Sequence, residues 1–162
     1  MQYWLMKSEP DEVSIDDLAV APKQTVPSFG VRNYQARNFM RDTMQIGDLA
    51  FFYHSGGAAP GIAGICEVCS EPYPDPTQFA APQRDFPSAA VNPYFDPKSS
   101  PDKPRWWLRE VRFVSKSRYL PLAELRAHPE LANMRLLARG NRLSITPVSN
   151  AEWAFITRNL LA

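Results

Sequence analysis

Nine of the 16 prolines in this 162-residue chain fall within residues 72–104. Proline has no amide hydrogen to give a helix interior or a central strand, so regular structure is largely barred from that stretch. The fold must be assembled from the segments on either side of a long irregular arm. The arm carries Tyr73, Phe79, Phe86, Tyr94 and Phe95. Aromatics at that density pack on something, so the arm is expected to wrap the body of the protein and not to link two domains.

The flanking segments alternate and break like a mixed fold. Tyr3 to Met6 reads as a buried first strand. Leu49 to His54 and Gly61 to Val68 read as two more, after a Gly47-Asp48 turn and joined by a glycine-rich connection at 56–61. Trp106 to Val114 is a further strand, in which Glu110 and Arg112 alternate with Val111 and Phe113. Ser14 is placed to cap a short helix through Leu18, and Asn33 to cap one reaching about Arg41. Pro121 opens a helix over Leu120 to Ala127, residues 136–145 hold a helical turn or strand, and Asn150 caps a last helix with Trp153, Ile156 and Leu160 on one face. This order predicts one α+β domain over residues 1–162, with a mixed, barrel-like sheet surrounded by short helices.

An apolar content of 44% is ordinary for a globular protein. No apolar run approaches the ~20 residues of a membrane helix. Gln2 to Met6 is too short for a signal-peptide core, so a cytoplasmic protein without a membrane partner is expected. Cys66 and Cys69 form a lone C-x-x-C pair within a strand-like segment, short of the about four ligands of a zinc site. No metal or cofactor is expected. The net charge of +1 hides an asymmetry: residues 1–102 carry 7 Lys/Arg against 13 Asp/Glu, and residues 103–142 carry 10 against 3. The second segment can present an anion-binding face, and its arginines outnumber its lysines 8 to 2, which favours planar contacts.

Residues 29–38, Phe-Gly-Val-Arg-Asn-Tyr-Gln-Ala-Arg-Asn, concentrate groups suited to gripping something flat and anionic. Aromatic rings and guanidinium planes stack on bases, amides read base edges, and arginines meet phosphates.

Several stretches follow one known pattern in order. They are Trp4 to Pro10, Gly30 to Asn38, Gly47-Asp48, Phe51 to Ser55, Pro60 to Gly64, Tyr73 to Asp75 and Arg142 to Ile145. On these motifs the chain resembles the EVE domain family over about residues 2–160. The resemblance implies a PUA-like fold and a module that binds nucleic acid, RNA or DNA, carrying a modified base. One departure stands out. Where the family usually reads Trp-Asp-Gly-Val-Arg-Asn, this chain reads Ser28-Phe29-Gly30-Val31-Arg32-Asn33.

A single-base reader needs faces to stack on, groups for the base edge and cations for flanking phosphates. Phe29, Tyr53 and either Trp4 or Trp106 can supply faces, and Asn33, Ser8, Ser55 and the Gly30-Val31 backbone can read the edge. Lys7, Arg32 and His54 belong to the same expected pocket, and Arg37 and Arg142 are the expected phosphate contacts.

No Gly-x-Ser-x-Gly elbow, His-Glu-x-x-His motif or glycine-rich phosphate loop is present, so no catalytic residue is assigned. The alternatives are an enzyme acting on a nucleotide or small amide in the same pocket, and a small-molecule or protein-interaction module using the proline-rich arm.

Overall fold

The segments beginning at Tyr3, Leu49 and Gly61 form the centre of one sheet in the computed structural model, which describes residues 1–57, 59–79 and 93–161. Phe86 of the arm and Ala58 of the glycine-rich connection lie outside the described residues.

The elements in chain order are β1 (Tyr3–Ser8), α1 (Ile15–Val20), β2 (Thr25–Pro27), α2 (Tyr34–Asn38), β3 (Leu49–His54), β4 (Gly61–Val68), β5 (Tyr73–Pro74), β6 (Trp107–Leu108), β7 (Glu110–Pro121), α3 (Leu122–Arg126), β8 (Ile145–Val148) and α4 (Asn150–Phe155). Six strands make a mixed sheet in the order β2-β7-β4-β3-β1-β8, and β5 pairs separately with β6. β1 runs parallel to β3, with Leu5 opposite Phe51, and the other neighbours are antiparallel. β2 and β8 are not paired with each other, so the sheet is mixed as expected but is not a closed barrel among the described residues. Both edge strands contain a proline, Pro27 in β2 and Pro147 in β8. An edge position tolerates the missing amide, and each proline also makes its edge a poorer template for another strand.

Alternation along the strands divides two apolar clusters between the faces of the sheet. Trp4, Met6, Ala50, Phe52 and Cys66 pack with Ile15 and Leu18 of α1 and with Ala36, Met40 and Met44. Leu5, Phe51, Tyr53 and Ile62 pack with Leu125 of α3, with Leu131 and Met134, and with Trp153, Ile156 and Leu160. Trp153 stacks on both Phe51 and Tyr3, with ring centroids 4.1 and 4.4 Å apart.

Several boundaries differ from the sequence reading. The strand expected at Trp106 to Val114 is two strands, and β7 continues to Pro121, so Leu120 belongs to the sheet and Pro121 stands at the N-cap of α3. The last helix is capped by Ser149, not by Asn150. Ser149 accepts the Glu152 amide while the Glu152 carboxylate accepts the Ser149 amide, a reciprocal box that Asn150 could not form with this spacing. Ser14 caps α1 in the same reciprocal way through Asp17. Asn33 caps α2, whose chain then continues as a π-helical turn over Phe39–Thr43.

Two buried charged groups fix the loops around these elements. The Asp48 carboxylate accepts the Trp4 indole N–H at 3.1 Å and the amides of Gln2 and Gln45. The Arg109 guanidinium donates to the carbonyls of Met40, Met44 and Ser70. It thereby satisfies acceptors in and just beyond the π-helical turn, where a cation is electrostatically favoured.

Candidate functional site

A cavity of about 370 Å3 opens on the α1/α2 side of the sheet. Its size falls within the ~300–1,000 Å3 of small-molecule sites. All six strands of the main sheet contribute to its lining: Met6 from β1, Val26 from β2, Phe52 from β3, Cys66 from β4, Val111 from β7 and Ile145 from β8. Because both edge strands reach it together with the central ones, the sheet must curl around the cavity.

Above this apolar floor the rim is polar and aromatic. Lys7, Ser8, Glu9 and Glu12 come from β1 and the turn after it, Ser28 to Val31 from the chain leaving β2, Ser55 from the end of β3, Tyr94 from the arm, and Arg142 and Ser144 from the approach to β8. Backbone bonds hold these segments together: Ser55 N donates to Ser8 O at 3.0 Å, Lys7 N to Ser144 O at 2.8 Å, and Ser28 N to Arg109 O at 3.0 Å. Burial lowers the Lys7 ammonium below the ordinary lysine value, and it makes no ion pair among the described residues. An unpaired, partly desolvated cation favours an anionic or carbonyl-rich partner.

Tyr94 joins two sides of the rim. Its ring meets Phe29 edge-on at a centroid distance of 5.4 Å, and its hydroxyl donates to the Glu12 carboxylate. Burial, together with that carboxylate, pushes the Tyr94 hydroxyl up to about 12, so it stays a donor at neutral pH. The backbone carbonyl of Tyr94 accepts two bonds from Arg32, at 2.7 and 3.2 Å.

Asp75 organises this wall from beneath. It is fully buried and accepts the Gly30 amide at 2.7 Å, Arg32 Nη1 at 3.1 Å, and both the amide and the hydroxyl of Thr77. Such a set of donors offsets the cost of burying a carboxylate. Gly30 has a φ of +82°, a conformation suited to glycine.

The cavity therefore brings together Lys7, Ser8, Phe29, Gly30, Val31, Ser55 and Arg142 from the sequence reading. Six expected site residues do not line it. The guanidinium of Arg32 is spent on Asp75, Thr77 and Tyr94. The Asn33 side chain accepts the Ala36 amide at 3.0 Å as a helix cap. Tyr53 belongs to the apolar cluster on the opposite face, as strand alternation requires. His54 Nε2 accepts the Ile15 amide at 3.0 Å at the start of α1. Trp106 is buried, donates its indole N–H to Asp96 at 2.8 Å and stacks on Tyr34. The Arg37 guanidinium lies 4.7 Å from the Tyr34 ring centroid and donates to Arg105 O at 3.0 Å. Trp4, the other candidate face, is buried against Phe39.

Glu9, Glu12 and Tyr94 line the cavity and Asp75 supports it, although none is among the expected site residues. Among the described residues no group of three or more His, Cys, Asp or Glu side chains could hold a metal ion. No helix among them is long and apolar enough to cross a membrane.

The EVE domain family model matches residues 2–159. Human thymocyte nuclear protein 1 is 44% identical, over 95% of this chain and 72% of that protein. A crystal structure of a protein from Pseudomonas putida superposes with a TM-score of 0.85 at 43% identity, covering 96% of this chain and 97% of its own. The human THYN1 protein, solved in complex with 5-methylcytosine-containing DNA, superposes with a TM-score of 0.83 at 42% identity, covering 96% of this chain and 95% of its own.

Proposed function

Because this chain belongs to the EVE domain family, we propose that it binds nucleic acid and holds one modified base in the cavity on the concave face of its sheet. The observation that carries this reading is the cavity itself: an apolar floor of Met6, Phe52, Cys66 and Val111 under a rim of aromatic, hydroxyl and cationic groups. The human relative's complex with 5-methylcytosine DNA supports the same chemistry and makes DNA the first nucleic acid to try, with RNA second. Residues 1–162 act as a single EVE domain, and the cytoplasm is the expected compartment; the matched human relative is named a nuclear protein.

Phe29 and Tyr94 offer ring surface to the base, Ser28, Ser55 and Ser144 offer hydroxyls to its edge, Ser8, whose hydroxyl donates to Val13 O at 2.7 Å, offers an acceptor, and Lys7 and Arg142 meet the adjoining phosphates. A base must leave its helical stack to enter, which favours single strands, mismatches and flipped nucleotides. A methyl group against the apolar floor is worth ~0.8 kcal/mol, roughly a fourfold preference over the unmodified base.

Binding without catalysis is the better reading of the titratable groups. His54, the one described histidine near the cavity, uses its Nε2 lone pair to accept the Ile15 amide, and it does not line the cavity. The test is fluorescence anisotropy with matched DNA and RNA oligonucleotides, single- and double-stranded, with and without 5-methylcytosine. Tighter binding of the modified single strand is expected. If neither modified nor plain oligonucleotides bind at low salt, the reading is wrong.

A further inference from the structure

We propose that charge at the mouth of the cavity directs the path of a bound strand, so that its sugar–phosphate backbone runs along the segment carrying Arg135, Arg139 and Arg142 and is kept off the turn carrying Glu9, Asp11 and Glu12. This rests on the nucleic-acid reading above and adds to it the surface outside the base pocket.

The basic side has no internal counter-charge. No Asp or Glu occurs between Glu130 and Glu152. Arg135, Arg139 and Arg142 are all exposed, and none forms an ion pair among the described residues. The cations of β7 are different: Arg112, Lys116 and Arg118 are each paired, with Glu67, Asp16 and Glu124. Arg142 lines the cavity, and two residues later Ser144 accepts the Lys7 amide, so this segment is tied to the rim. A turn closed by Asn141 N to Ala138 O at 3.0 Å, with Gly140 at φ +77°, separates Arg139 from Arg142. Further along, the Arg135 guanidinium sits 6.0 Å from the ring centroid of Phe39, the residue that follows α2. The unneutralised arginines thus lead from the cavity mouth back toward α2.

The turn that follows β1 repels a phosphate. Glu9, Asp11 and Glu12 are exposed on a tight turn closed by Glu12 N to Glu9 O at 2.9 Å, and none of them is ion-paired among the described residues. Glu9 and Glu12 both line the cavity. A strand whose base enters the cavity would bring its phosphates against two carboxylates if it left on that side. Leaving along the arginines instead replaces bound counterions with guanidinium groups.

The experiment is the salt dependence of binding of a fluorescent single-stranded DNA with one 5-methylcytosine and of its unmodified twin. Arg135→Ala combined with Arg139→Ala should lower the slope of log K against log salt by about 1.4, at ~0.7 per phosphate on a single strand. It should leave the ratio of modified to plain affinity unchanged. Lys116→Ala should leave the slope as in the wild type, and Glu9→Gln with Asp11→Asn should tighten both oligonucleotides alike. Arg135→Gln with Arg139→Gln repeats the measurement should the alanine pair not fold. If the wild type prefers the modified strand but neither arginine pair changes the slope, the backbone does not follow this segment and the inference is overturned. If the wild type binds neither strand, the base-pocket reading fails and takes this inference with it.

Discussion

The ring of Tyr94 lies against the bare Cα of Gly30, its Cε1 2.7 Å from where a Cβ on that residue would stand. The φ of +82° at Gly30 adds a second reason for glycine there. Gly30→Ala therefore meets both backbone strain and a ring held by edge contact with Phe29, by the Arg32 guanidinium 5.7 Å from its centroid and by the hydroxyl bond to Glu12. Backbone strain of this kind costs ~1–3 kcal/mol. Urea denaturation should show a loss of that order, and anisotropy should show weakened binding of the modified strand, because the displaced ring is a wall of the cavity.

Asp75→Asn removes the charge that holds Arg32 and the Gly30 amide together. Breaking one partner of a buried pair costs ~3–5 kcal/mol. Arg32 is 22% exposed, so the loss should sit near the lower limit of that range. Chemical denaturation measures it. A variant as stable as the wild type would mean that Asp75 does not organise this wall.

His54 gives the fold a pH dependence of known sign. Burial holds its imidazole below the ordinary histidine value, outweighing the raising influence of Asp16 and Asp17. The unfolded chain, with an ordinary value of ~6.5, then takes up the proton at a higher pH than the folded protein does. The stability contributed by neutral His54 is complete above that unfolded value and is lost as pH falls through the lower folded one. Accepting the Ile15 amide through Nε2 also places the ring proton on Nδ1. Melting temperatures should fall between pH 7 and 5, His54→Gln should flatten that fall, and nitrogen NMR should report the Nδ1–H tautomer.

Arg109→Met would leave the carbonyls of Met40, Met44 and Ser70 without this donor. An unsatisfied buried acceptor costs ~1–3 kcal/mol, so a loss of at least about 2 kcal/mol is expected in urea. Base preference should persist in the folded fraction, since Arg109 does not line the cavity.

These dependences show where the sequence was legible. Strands β1, β3 and β4 announce themselves by apolar alternation, which is local, and α1 by the Ser14 cap with Asp17 three residues on. The same signal was available at Ser149 and Glu152, where the neighbouring Asn150 drew the cap away. The site residues that escaped are those whose meaning lies far along the chain. Asp75 sits among prolines and acquires its role from Gly30 and Arg32, and Tyr94 from Gly30 and Glu12. Arg32, Asn33 and Trp106 are of residue types that suit bases. Long-range hydrogen bonds and stacking had already claimed them. Family motifs located the cavity wall, whereas the division between lining and supporting residues required the three-dimensional partners.

The central claim, that one modified base enters the cavity on the concave face, is tested most directly by amide NMR of the labelled protein titrated with a short single-stranded DNA bearing 5-methylcytosine. Shifts should concentrate at Lys7, Ser8, Ser28 to Val31, Ser55 and Ser144, and should be larger than those produced by the unmodified strand. The Tyr53 and Trp153 cluster behind the sheet should stay unchanged. Shifts confined to that far face, or none at saturating DNA, would contradict the claim.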